Sequence, residues 1–174
     1  GIFPTADGRA RFHAAPWLPP AEEPDAAFPL RLTTGRLRDQ WHGMSRTGRA
    51  ARLAGHEPTP RLLVNAADMQ RRNFKPGDLA RIKSRRGEII LPVAASEEMK
   101  PGQAFIAMHW GARSLSHAGV NQLMQAAIDP RSKQPELKHA AISIEPVALP
   151  YRVIALRAAD AGAAGEEQVL RWRD

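Results

Sequence analysis

The chain has 174 residues, 43% of them hydrophobic, which suits one domain with a sizeable core. It carries no cysteine, which excludes disulfides, cysteine-held iron–sulfur clusters and a thiolate nucleophile within it. The formal charge of +7 is uneven: residues 34–90 hold 13 basic and 5 acidic side chains, so a basic middle faces a near-neutral remainder, which suits an anionic partner, although 20 Arg against 5 Lys also fits a compositional bias.

Residues 1–28 are rich in Pro, Ala and charge, as in Pro16-Trp17-Leu18-Pro19-Pro20-Ala21-Glu22-Glu23-Pro24. Proline lacks an amide proton and fixes φ, so this stretch is predicted as an extended arm or linker. It lacks the basic-then-apolar pattern of a signal peptide, and no run of about 18 apolar residues occurs to span a membrane. Residues 28–33 alternate and read as a strand, broken by Thr34-Gly35-Arg36. Residues 37–60 are polar and end in Pro58-Thr59-Pro60, which predicts loop with a helical turn.

Leu62-Leu63-Val64 reads as a short buried strand, and Asn65 as the cap of a helix over 66–73. Residues 79–84 and 89–94 form the arms of a hairpin around Arg85-Arg86-Gly87-Glu88, which is read as an exposed turn rather than a phosphate clamp. Lys100-Pro101-Gly102 is another turn before a strand over 104–108. A loop over 109–120, a helical stretch over 121–127, a last strand over 140–147 and a helix-prone Ala-rich tail over 158–170 complete the chain, with no internal repeat. Short strands punctuated by Pro-Gly turns indicate a mainly β fold, a closed barrel with short helices. The predicted core is Leu30, Leu32, Leu63, Val64, Leu79, Ile82, Ile89, Leu91, Ile106, Ile142 and Ile144. Neither a phosphate loop nor a His-x-x-x-His metal pattern is present.

Three segments together carry a family resemblance. The first runs from Leu32-Thr33-Thr34-Gly35-Arg36 through Gln40-Trp41-His42-Gly43-Met44-Ser45-Arg46-Thr47-Gly48. The second is His109-Trp110 with Val120-Asn121-Gln122-Leu123, and the third is Asp129-Pro130-Arg131-Ser132-Lys133-Gln134-Pro135-Glu136-Leu137-Lys138-His139. In this order they resemble the C-terminal molybdopterin-dinucleotide-binding domain of nitrate reductases in the dimethyl-sulfoxide-reductase family, in particular bacterial assimilatory enzymes. The opening Phe3-Pro4-Thr5-Ala6-Asp7-Gly8-Arg9 also fits. The resemblance covers about residues 1–147 and divides the chain into an arm (1–28), a barrel (29–147) and an extension or linker (148–174).

The resemblance implies a six-stranded double-psi barrel and a molybdenum centre held by two molybdopterin guanine dinucleotides, shared with other domains. There molybdenum takes an oxygen atom from nitrate and is reduced again through an iron–sulfur cluster. In such enzymes the cysteine ligands of metal and cluster lie on other domains, so this chain is expected to hold no catalytic residue and to be inactive alone. The implied partners are the remaining domains of the parent catalytic subunit and an electron-donor protein or domain, in the cytoplasm, with no nucleic acid and no membrane. The alternatives are the same domain of another molybdoenzyme, such as a formate dehydrogenase, or a basic nucleic-acid-binding barrel. Against the latter, the aromatic residues do not interleave with the basic ones as a stacking platform would.

Taken alone, Thr34-Gly35-Arg36 reads as a strand end, Trp41 as core, and Asn121 and Lys138 as a helix start and a solvated charge. The resemblance carries cofactor contacts onto Thr34, Gly35, Arg36, Trp41, His42, Gly43, Asn121 and Lys138, with Ser45 and Thr47 as further hydroxyl contacts. Arg36 would pair with phosphate through its planar fork, and Trp41 would stack on a pterin. His109 and Trp110 are read either as packing residues or as part of the substrate funnel, where a protonated His109 would attract nitrate.

Overall fold

The computed structural model describes residues 1–115 and 119–148. The tail expected to be helical over 158–170 lies outside the described residues. Six strands form a closed barrel: β1 (Leu30–Gly35), β2 (Leu62–Val64), β3 (Leu79–Lys83), β4 (Glu88–Ala95), β5 (Gln103–Ala107) and β6 (Ala140–Pro146). Around the barrel the order is β1-β5-β2-β4-β3-β6, with β6 closing onto β1. β1 lies parallel to β5 and β2 parallel to β4, while the other pairs are antiparallel. The closed, mainly β barrel is what the strand pattern indicates, and its six strands are what the family resemblance implies.

Alternation along each strand decides what fills the barrel. Leu30 and Leu32, Ile89, Leu91 and Val93, Ala104 and Ile106, and Ile142 and Ile144 point inward and are all buried. Two members of the predicted core are corrected. Leu62 is fully buried and Leu63 only partly; Ala80 is fully buried and Leu79 only partly. A strand sends successive side chains to opposite faces, so Leu63 cannot share the interior with Val64, nor Leu79 with Ile82. Pro92 sits inside β4 without disrupting the barrel, because β2 begins to pair with β4 only at Val93.

Two helices join the strands, α1 (Ala51–Ala54) and α2 (Ala66–Arg71). Asn65 caps α2 as predicted: its Oδ1 accepts the Ala67 amide proton at 2.9 Å, and its Nδ2 donates to the Met99 carbonyl at 2.7 Å. The helix stops short of residue 73, where Asn73 turns left-handed at φ 57°. Within α2, Asp68 is buried, accepts the Gly102 amide proton at 2.7 Å and pairs with Arg71 and Arg72. Burial disfavours its charge, but these bonds outweigh the penalty and hold its carboxyl below the usual range.

Three further differences from the sequence reading have local causes. The strand does not break at Thr34; it runs through Gly35, whose carbonyl accepts the Met108 amide proton at 2.9 Å. The stretch 121–127 is not a helix but a 3-10 turn, Val120–Leu123, followed by extended chain. That chain must run out to meet Pro135 and Glu136, where Ile128 bridges Pro135 and the Ala127 carbonyl accepts the Glu136 amide proton at 2.9 Å. The turn at Arg85-Arg86 is not simply solvated: Arg85 and Arg86 both pair with Glu22 of the arm, Arg85 also pairs with Asp25, and the Arg85 guanidinium lies 4.7 Å from the Phe28 ring centre.

Candidate functional site: one rim of the barrel

Because β1 and β5 are parallel, both leave the barrel at the same rim. The segments that follow them, 36–44 and 108–114, therefore lie together although about 70 residues separate them in the chain. Between them lies a cavity of about 330 Å³ lined by His42, Gly43, His109, Trp110, Arg113 and Asn121 among others. A second cavity of about 310 Å³ shares Gly43, Trp110, Arg113 and Ser114 with the first and adds Ser45 and Arg49.

The candidates divide into exposed groups and groups already engaged. Arg36 is exposed and its guanidinium lies 4.7 Å from the Trp41 ring centre, so an aromatic plane and a cation are presented as one unit. Trp41 is 52% exposed, which overturns its reading as barrel core. His42 and Gly43 are exposed beside it in a tight turn closed by the Met44 amide bonding the Trp41 carbonyl at 2.9 Å. His42 adopts a left-handed φ of 45°, a conformation costly for a side-chain-bearing residue and common at binding sites. Gly35 has a packing reason to be glycine, because a Cβ there would stand 2.8 Å from the Phe105 ring.

Thr34 and Lys138 are brought into contact. The Lys138 ammonium donates to the Thr34 carbonyl at 2.9 Å, and the Thr34 hydroxyl donates to the Leu137 carbonyl at 2.6 Å. Thr34 is thus spent on internal bonds, while an ammonium with three donors keeps capacity for a ligand. Thr47 is also structural: its hydroxyl donates to Gln40 Oε1 at 2.7 Å and accepts the Trp41 amide proton at 3.2 Å. Ser45 is exposed on the second cavity. Asn121 is exposed on the first, held there by the turn that begins at Gly119.

His109 and Trp110 are both buried, at 2% and 7% exposure. The His109 Nε2 accepts the Leu37 amide proton at 2.8 Å, and its Nδ1 donates to the His42 carbonyl at 2.6 Å. Both nitrogens are thus engaged by backbone, while the ring still borders the first cavity.

Electrostatics favour an anion here. Glu57, which lines the second cavity, is paired with Arg61, and Asp39 is bonded by Arg38 and His56, which hold its carboxyl at about 2. Among the described residues, Arg36, Arg46, Arg49 and Arg113 enter no ion pair. Arg113 was not singled out from the sequence; its signal is the Gly111-Ala112-Arg113-Ser114 run directly after His109-Trp110. No three His, Asp or Glu side chains converge as a metal site among the described residues. Exposed guanidinium groups, an aromatic plane and amide donors suit a polyanionic ligand with a flat ring system, the chemistry of a pterin dinucleotide.

Comparison with known proteins gives this rim a family. Residues 30–141 match the family described as "Molydopterin dinucleotide binding domain". Over 138 residues, 79% of the chain, it is 40% identical to a nitrate reductase of Klebsiella oxytoca, of which the match covers 16%. It is 41% identical over 145 residues to a nitrate reductase of Synechocystis sp. (strain ATCC 27184 / PCC 6803 / Kazusa), covering 83% of this chain and 20% of that protein. The chain thus spans no more than about a fifth of these relatives. In fold it is similar to acetylene hydratase from Pelobacter acetylenicus, with a TM-score of 0.57 and 16% identity over 68% of this chain and 18% of that one. The chain belongs to the molydopterin dinucleotide binding domain family.

Proposed function

We propose that this chain is the cofactor-binding domain of a molybdenum nitrate reductase, closing over a molybdopterin guanine dinucleotide whose metal lies among other domains of the parent polypeptide. The observation that carries this reading is the 40% and 41% identity, over most of the chain, to two nitrate reductases. The basic rim supports it. Arg36 stacked on Trp41, the amides of the turn 41–44, Asn121 and the free donors of Lys138 are the groups that would hold the dinucleotide. When bound, the molybdenum cofactor supplies oxygen-atom transfer from nitrate to give nitrite.

The chain's own contribution is binding, orientation and exclusion of water. Arg36 offers a planar fork of donors to phosphate, Trp41 a face for a ring, and Asn121 a paired donor and acceptor. The unpaired arginines raise the local concentration of anions at the rim. Returning electrons through an iron–sulfur cluster is assigned to the parent's other domains, since this chain has no cysteine. The same lack means the chain alone should not turn over nitrate.

The test is direct. The purified parent enzyme should convert nitrate to nitrite with a reduced donor, and acid hydrolysis should release guanine nucleotide in proportion to molybdenum. A parent that ignores nitrate and oxidises formate, or that releases another nucleotide, would refute the assignment.

A further inference from the structure

We propose that His109 is the positioning residue of the cofactor rim, a fixed imidazole that sets the shape of residues 37–42. The Leu37 amide and the His42 carbonyl belong to a loop, not to a ladder, so neither has a strand partner. One ring serves both, at 2.8 and 2.6 Å. An amide can only donate and a carbonyl can only accept, so Nε2 must be bare and Nδ1 must carry the proton. The ring is 2% exposed, so water does not substitute for either bond.

The same dipeptide sets the other side of the rim. Trp110 follows His109, and its carbonyl oxygen lies 2.1 Å from where a Cβ on Gly119 would stand. The start of the turn that carries Asn121 is thus seated directly on the Trp110 backbone. His109-Trp110 therefore holds Arg36–Gly43 through a ring and Asn121 through backbone packing, which aligns two ligand-facing segments far apart in sequence. His109 touches no ligand in this role; it acts through the loop.

This inference rests on the cofactor-binding reading above, and the experiment separates the two. In the intact parent enzyme, His109→Gln retains one donor and one acceptor, whereas His109→Phe retains volume and neither. His109→Phe is expected to purify with roughly tenfold less molybdenum and guanine nucleotide per polypeptide, the effect of losing two buried hydrogen bonds. His109→Gln should recover most of that content. Full cofactor content in His109→Phe, or equal losses in both variants, would overturn the proposal, because a packing role distinguishes neither partner chemistry.

Should His109→Phe fail to accumulate, nitrogen-15 shifts of the ring in the wild-type chain decide the matter. A protonated Nδ1 and a bare Nε2, with a slowly exchanging Leu37 amide, support the proposal. The opposite tautomer, or a ring in free exchange with solvent, defeats it. A wild-type parent lacking molybdenum would instead remove the cofactor reading and leave the ring measurements to judge the positioning alone.

Discussion

At Gly119 the backbone is left-handed, with φ 77°, and any side chain would meet the Trp110 carbonyl. Gly119→Ala is therefore expected to destabilise the fold by about 2 kcal/mol or more, combining strain with a backbone clash. Urea unfolding of the two proteins measures this, and equal midpoints would show that the loop relaxes freely. Arg36→Ala should act on binding instead. A charge-assisted contact contributes roughly 1.5–3 kcal/mol, so about one to two decades of cofactor affinity should be lost with the barrel unchanged. Molybdenum and guanine nucleotide per polypeptide report that loss; full occupancy would place Arg36 outside the site. At this scale the sequence was only partly legible. The stretch from Thr34 to Gly43, and Lys138, stand out only through the family resemblance, because taken alone their residue types read as a strand end, core and a solvated charge. The part played by His109 was hidden, because its partners are backbone groups 67 and 72 residues away, which every residue possesses. Thr47 was hidden likewise, its hydroxyl serving Gln40 rather than facing outward.

Among the elements, the joint between the arm and the β3–β4 hairpin has the clearest dependence on pH. Glu22 is nearly buried; it takes bonds from Arg85, Arg86 and the Ala141 amide, while the His139 ring donates to its carbonyl. Burial disfavours its charge, yet the bonds from Arg86, Ala141 and Arg85 prevail and hold its carboxyl at about 2, against an ordinary 4.5. A depressed carboxylate stabilises the docked arm fully above about pH 4.5 and loses that effect as pH falls toward 2. The Ala141 amide proton shift should titrate with a midpoint near 2 in the wild type and not at all in Glu22→Gln. A midpoint near 4.5 would mean that the arm is undocked in solution. Strands were legible here because alternation announces them, and Asn65 announced α2. The docking of Glu22 was not, since nothing in Pro19-Pro20-Ala21-Glu22 points to a hairpin some 60 residues on. The facing of paired apolar residues was ambiguous for a related reason. Leu62-Leu63-Val64 offers two possible phases, and only the register against Ile106 and Val93 selects one.

For the whole molecule, the described strands close into one barrel, and its core is built from all six of them. The 174-residue chain alone should reduce no nitrate even with an artificial donor, because it carries no cysteine to hold a metal or a cluster. Nitrite formed by the fragment at a rate proportional to its concentration would contradict that. The topology also orders events in time. Among the described residues, β1 pairs with β5 and β6, and β6 is the last of the six strands in chain order. Lys138, which secures the Thr34 carbonyl, is translated 104 residues after it. At about 5–20 residues per second, a ribosome needs roughly five to twenty seconds to travel that distance. Throughout that interval the nascent chain carries its arginine-rich rim segment before the strand that closes the barrel exists. The rim as described therefore takes its final shape only after residue 146 has left the exit tunnel, so a ligand that needs the whole rim would be bound after β6 is made.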